Sequence, residues 1–200
     1  MLRLLQFSLS SALIVIFVSC SSSGPKTQFY SLFADKAPQV HALDNKSLSI
    51  GIGPVELPEY IEHPGIVSVT NSNRVIVSGF NAWAGDLKEN ISRVLASNLS
   101  TAFELDQVWA FPWNNRIKPD YKIRLVFEDF SGLKGGEVNV ALRWSLLDQN
   151  GKTRLFMRKV HFTSVANSDS YNDYVSALNN ALNLVSENIA VEVAAQLNPR

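Results

Sequence analysis

A chain of 200 residues, 46% of them hydrophobic, is long enough for one domain with a core of its own. Its 18 basic and 18 acidic side chains cancel and form no basic run, which argues against nucleic acid as a partner and against a polybasic grip on anionic lipid. The single cysteine cannot close an internal disulfide, so packing alone must hold the fold.

The chain starts with a small positive end, Met1-Leu2-Arg3, and continues with an apolar stretch over residues 4–18, diluted by Gln6, Ser8, Ser10 and Ser11. That stretch falls short of the ~20 residues a membrane-spanning helix needs. Residues 1–19 therefore predict a secretory signal peptide. Its end, Phe17-Val18-Ser19-Cys20, resembles the bacterial lipobox, with Phe17 where leucine is usual. The resemblance implies that the Cys20 thiol takes a diacylglycerol, the leader is cut before Cys20, and the new amine is acylated. An ordinary leader with a chance cysteine is the alternative. Ser21 is a residue type compatible with sorting to the outer membrane, where Asp would favour inner-membrane retention. Residues 20–28 then form a lipidated tether, Ser21 to Gln28 reaching at most ~28 Å when extended. The domain, residues 29–200, is expected to hang from the outer membrane by its acyl chains and to face the periplasm.

Phe29-Tyr30-Ser31-Leu32 predicts an edge strand, and residues 38–46 are polar enough for a loop. Ser47-Leu48-Ser49-Ile50-Gly51-Ile52 alternates with period two and predicts a strand ended by Gly53-Pro54, since proline gives a ladder no N–H. Residues 66–69 and 74–78 predict two further strands, joined by a turn at Asn71-Ser72-Asn73. From 84 to 105, Leu87, Ile91, Val94, Leu95, Leu99 and Ala102 recur at helical spacing, with Asp86 and Glu89 as an N-terminal cap. A meander follows over 121–128, 138–146 and 152–163. It turns at the glycine-rich Ser131-Gly132-Leu133-Lys134-Gly135-Gly136 and at Asp148-Gln149-Asn150-Gly151. A second helix spans 171–196, capped by Ser170 with Asp173 and stopped by Asn198-Pro199. The expected fold class is α/β: a mixed, largely antiparallel sheet packed with two long helices in a single domain.

Candidate chemistry is scarce. His41, His63 and His161 lie far apart without metal-ligand spacing. There is no G-x-S-x-G elbow, and the glycine-rich turn lacks the Lys-Ser/Thr ending of a phosphate loop. Glu128 and Asp129 are adjacent, point to opposite faces of a strand, and have no second acid to pair with. The expectation is a protein that is not an enzyme and takes no cofactor or metal.

Two segments stand out instead. Pro54, Pro58 and Pro64 hold the backbone extended between Gly53 and Gly65, and Val55, Leu57, Tyr60 and Ile61 are interleaved with acids. Such a stiff, partly apolar loop loses little entropy on docking, which makes Leu57, Pro58, Tyr60 and Ile61 candidate partner-binding residues; a rigid crossover covering the core is the alternative. In Trp109-Ala110-Phe111-Pro112-Trp113 the rings are expected to pack in the core or on an edge strand. Trp113 is the candidate for an exposed aromatic contact.

The order of lipobox, Phe29-Tyr30-Ser31-Leu32, Gly53-Pro54-Val55-Glu56-Leu57-Pro58-Glu59-Tyr60-Ile61, Pro64-Gly65-Ile66-Val67 and Trp83 opening a helix resembles one family. It is the ABC-type transport auxiliary lipoprotein family, of the paraquat-inducible protein C (PqiC) type. Arg93-Val94-Leu95-Ala96 and Asn98-Leu99 also match its pattern. His63 departs from it, standing where Arg usually precedes the proline, and so does Asn81-Ala82, where a basic residue often precedes the tryptophan. The resemblance implies a non-catalytic lipoprotein working beside an inner-membrane component and an MCE-domain protein that forms a periplasm-spanning lipid conduit. The expected role is to dock the tip of that conduit at the outer membrane so that phospholipid passes between membranes. A closed homo-oligomer would suit a cap on a tube. An envelope assembly lipoprotein that escorts an outer-membrane barrel or lipopolysaccharide is the alternative.

Overall fold

The computed structural model describes residues 24–35 and 38–198; the leader, Cys20 and Ser21 lie outside the described residues. In chain order the elements are β1 (Gln28–Tyr30), β2 (Ile50–Glu56), a 3-10 turn (Glu59–Ile61), β3 (Gly65–Val69), β4 (Val75–Trp83), α1 (Leu87–Phe103), β5 (Val108–Ala110), β6 (Tyr121–Gly132), β7 (Glu137–Asp148), β8 (Arg154–Val165) and α2 (Tyr171–Leu197). The strands form two mixed sheets, one of three strands in the order β1-β4-β3 and one of five in the order β5-β2-β6-β7-β8. β1 runs parallel to β4, and β2 runs parallel to both β5 and β6. The long β6–β7–β8 meander is antiparallel throughout.

The period-two pattern of the meander sends Ile123, Leu125, Val140, Leu142, Trp144 and Leu146 to one face, where both helices cover them. α1 lies over β2 and β5 and brings Ile91, Leu95 and Leu99; α2 lies over β7 and β8 and brings Leu178, Leu182, Val185 and Ile189. Trp144 closes the far side, its ring edge-on to Phe156 with centroids 5.1 Å apart. Burying each such side chain contributes about 1.5–3 kcal/mol.

Both predicted helix caps form. The Asp86 carboxylate accepts from the Glu89 N–H at 2.9 Å, and the Ser170 hydroxyl accepts from the Asp173 N–H at 3.1 Å. α1 ends where Glu104 turns into the left-handed region at φ 52°.

Three expectations need correction. The strand expected to stop at Gly53-Pro54 continues to Glu56, because a register shift against β6 between Ile52 and Val55 accommodates the residue that has no N–H. Gly53 sits there at φ 122°, where a Cβ would come within 2.6 Å of Phe111. Trp83 ends β4 instead of opening the helix, which starts four residues later at Leu87. The proline-rich loop is not extended throughout: after Pro58 it winds into the 3-10 turn, with the Ile61 N–H on the Pro58 carbonyl at 2.9 Å.

Polar groups inside the domain are used as ties. Asn98 of α1 donates to Asn183 and Ser186 of α2 at 3.0 and 2.9 Å, which fixes the two helices in register. The Tyr174 hydroxyl of α2 donates to the Val67 carbonyl at 2.9 Å and joins that helix to the three-stranded sheet. Burial pushes the Tyr174 phenol well above its ordinary range, so it stays a donor at any physiological pH. A Tyr174→Phe substitution leaves the ring volume in place and strands the Val67 carbonyl. It is expected to cost about 1–3 kcal/mol in denaturant unfolding with little change in slope; an unchanged midpoint would contradict this tie.

Candidate functional site

The residues from Leu57 to Pro64 connect the two sheets. Their sequence divides into side chains that hold the segment down and one that it presents. Leu57 and Ile61 are 9% and 2% exposed and enter the core; Pro58 is half-buried at the head of the 3-10 turn. Tyr60, at 40% exposure, carries the ring that the turn displays. Its hydroxyl donates to Asp129 at 3.1 Å, and Ser131 donates to the same carboxylate oxygen at 2.6 Å. Partial burial, with the neighbouring Asp129 charge adding to it, raises the Tyr60 phenol above its ordinary value, so this proton is retained near neutral pH.

The turn is held from two further sides. Glu62 pairs with Lys88 at the start of α1 at 2.9 Å. The Trp83 N–H donates to the Pro64 carbonyl at 2.8 Å, and the Gly65 N–H donates to His63 Nδ1 at 2.9 Å. Gly65 is required by close approach, because a Cβ there would lie 2.5 Å from the Ser78 carbonyl oxygen.

Between this segment and the beginning of α1 lies a cleft of about 440 Å³, walled by Leu57, His63, Pro64, Trp83 and Leu87. A second cleft of about 240 Å³ opens beyond Asp86 and Lys88, which line both, and reaches Val55, Phe111 and Pro112. Phe111 is positioned by its N–H, which donates to both the Ile52 carbonyl and the Ser92 hydroxyl at 2.9 Å.

The aromatic assignment in this region changes. Trp113 is half-buried, its ring lying over Gly51, where a Cβ would meet it at 2.7 Å. Phe111, edge-on to Trp113 with centroids 5.3 Å apart, is 42% exposed, and Trp109 on β5 is 36% exposed. The edge-strand expectation fits Trp109, since β5 ends the five-stranded sheet, while the more exposed ring of the Phe111–Trp113 pair is Phe111. The glycine at position 51 was the available signal, since it leaves room for a ring on that face. Elsewhere, His41 binds Glu187 at 2.6 Å and His161 contacts Asn139 at 2.9 Å. Among the described residues no group of three or more His, Cys, Asp or Glu side chains converges to hold a metal ion. Glu128 is occupied by Arg143 and Lys159, which hold its carboxyl below the usual range.

The geometry therefore offers clefts and displayed rings around a braced turn. Among the described residues no helix is long and apolar enough to cross a membrane.

Comparison with known proteins supplies the context. The chain is 23% identical over 174 residues to the intermembrane transport lipoprotein PqiC of Escherichia coli, covering 87% of this chain and 90% of that one. The same identity and coverage hold for PqiC of Shigella flexneri. In fold it is similar to a crystal structure of a protein from Xanthomonas campestris, with TM-score 0.71 at 14% identity over 85% of this chain and 97% of that one. A crystal structure of an uncharacterized protein matches with TM-score 0.63 at 23% identity, over 85% and 99% of the two chains. The family model for the ABC-type transport auxiliary lipoprotein component matches residues 30–190, from the first strand almost to the end of the second helix, and the chain belongs to that family.

Proposed function

We propose that this protein is a non-catalytic component of an MCE-type lipid transport system, held under the outer membrane by acylated Cys20. There it docks the periplasmic conduit formed by an MCE-domain protein, whose inner-membrane partner lies at the other end, so that phospholipid moves between membranes. The observation that carries this reading is that β1, the first strand of the domain, lies beside the end of the displayed turn. β1 and β3 flank β4 on opposite sides, with Phe29 opposite Ala82 and Ala82 opposite Gly65. Two strand spacings put the incoming chain and the end of the turn about 10 Å apart. A domain tied at Cys20 would thus keep Tyr60 and the two clefts close to the membrane. Membership of a transport-auxiliary lipoprotein family and similarity to an intermembrane transport lipoprotein support the same direction.

The turn suits docking because its backbone is already fixed by Pro58, the Glu62–Lys88 pair and the Trp83 hydrogen bond, so little entropy remains to be lost. Tyr60, Trp109 and Phe111 are of the residue types that dominate interface energetics. Charge plays a small part, since Asp86, Lys88, Glu89 and Glu62 around the clefts are of mixed sign.

Two outcomes are expected. Cys20→Ala protein, exported normally, should leave the membrane fraction and appear in the periplasmic extract; continued outer-membrane attachment would remove the anchor. Tyr60→Ala, folded as judged by its unfolding midpoint, should weaken capture of the purified MCE-domain protein about 10-fold, or ~1.4 kcal/mol. Tyr60→Phe should lose much less, because the ring and not the Asp129 hydrogen bond is what a partner meets. Equal capture by Tyr60→Ala and the parent would remove the turn from the interface.

A further inference from the structure

Phe29 and Phe33 are 68% and 70% exposed, more than any other aromatic side chain among the described residues, and the packing of the domain does not use their rings. Their positions are nevertheless fixed. Phe29 lies on β1 in register with Ala82, and the Phe33 N–H donates to the Asn179 side-chain oxygen of α2 at 2.8 Å. Both residues line one shallow concavity of about 680 Å³ together with Tyr30, Asn172, Ser176 and Asn179. Among the described residues lining it there is no carboxylate, ammonium or guanidinium group. A surface of amides, hydroxyls and aromatic rings without charge has the chemistry of the membrane interface: the rings partition to the boundary of headgroups and acyl chains, and the amides hydrogen-bond to headgroups.

We infer that this face rests on the leaflet that holds the anchor, with Phe29 and Phe33 inserted into it. The inference rests on the acylation of Cys20 set out above. The nine positions from Cys20 to Phe29 span at most ~32 Å, which keeps these two rings within about that distance of the anchored cysteine. Because the anchor makes that contact intramolecular, two rings suffice to orient a domain that they could not bind to a membrane unaided. The face is formed by β1 and the N-terminal half of α2, so its insertion fixes how the neighbouring turn is presented to the periplasm.

The test is photocrosslinking of the full chain in cells grown on radiolabelled phosphate, with a benzophenone side chain replacing Phe29, Phe33 or, as a control, the exposed Met157 of β8. Irradiation is expected to transfer phosphate label to the protein from positions 29 and 33 and not from 157. The acyl groups on Cys20 carry no phosphorus, so they do not contribute, and palmitate incorporation in the same cells reports acylation separately. Acylated protein without phosphate label from either position overturns the inference and leaves the anchor standing. A protein adduct in place of lipid overturns it in favour of a protein partner. Absence of palmitate overturns both.

Discussion

The arrangement depends on a short backbone ladder at the end of β4. Tyr30 pairs with Trp83, the Ala84 N–H donates to the Tyr30 carbonyl at 2.8 Å, and the Trp83 N–H donates to the Pro64 carbonyl at 2.8 Å. These bonds join the incoming tether, the displayed turn and the approach to α1 at one place. They are made by main-chain groups at a residue, Trp83, whose own side chain is 7% exposed. Asn90 on α1 completes the joint, its side chain accepting from the Leu32 N–H at 2.8 Å and donating to the Leu32 carbonyl at 3.1 Å. The first strand is thus fastened to the core at the point where the described chain enters the domain.

The segment from Val55 to Ile61 owes its character to the same economy. Val55, Leu57 and Ile61 are buried, and what reaches solvent is the Tyr60 ring together with the acids at 56 and 59. The apolar residues that make it look like a binding motif are mostly its foundations. They exist so that one ring is held in a defined place, braced by Asp129 on one side and by the Glu62–Lys88 pair on the other. The segment is a rigid crossover over the core, and the proposed contact uses the one ring that this crossover leaves exposed.

Much of this was legible in the sequence because period and capping are local signals. The alternation of Ile123, Leu125, Val140, Leu142 and Trp144, the helical stripes of α1 and α2, and the caps at Asp86 and Ser170 each depend on neighbours a few residues away. What was not legible depends on distant partners. The strand through Pro54 survives because of an irregularity set by β6, and the division of Leu57 from Tyr60 is decided by which core lies beneath. Trp113 and Phe111 exchange roles because Gly51, sixty residues upstream, opens a space for the larger ring. The β3–β4 pair stays apart from the five-stranded sheet and is extended by β1 on β4, a pairing between residues over fifty apart that no local pattern encodes. The motif ending in Cys20 lies outside the described residues, so the roles proposed for Cys20 and Ser21 are read from the sequence motif.

Two parts of the domain are proposed to make contacts: the uncharged aromatic face at β1 with lipid, and the braced turn with its adjoining clefts with a periplasmic partner. Its central claim is that the turn meets an MCE-domain conduit. The most direct measurement places a photoreactive residue at Tyr60 in the full-length lipoprotein, irradiates living cells, and identifies the trapped protein by mass spectrometry. The account predicts an adduct with an MCE-domain protein. An adduct with an outer-membrane barrel, or with a second copy of this chain alone, would contradict it.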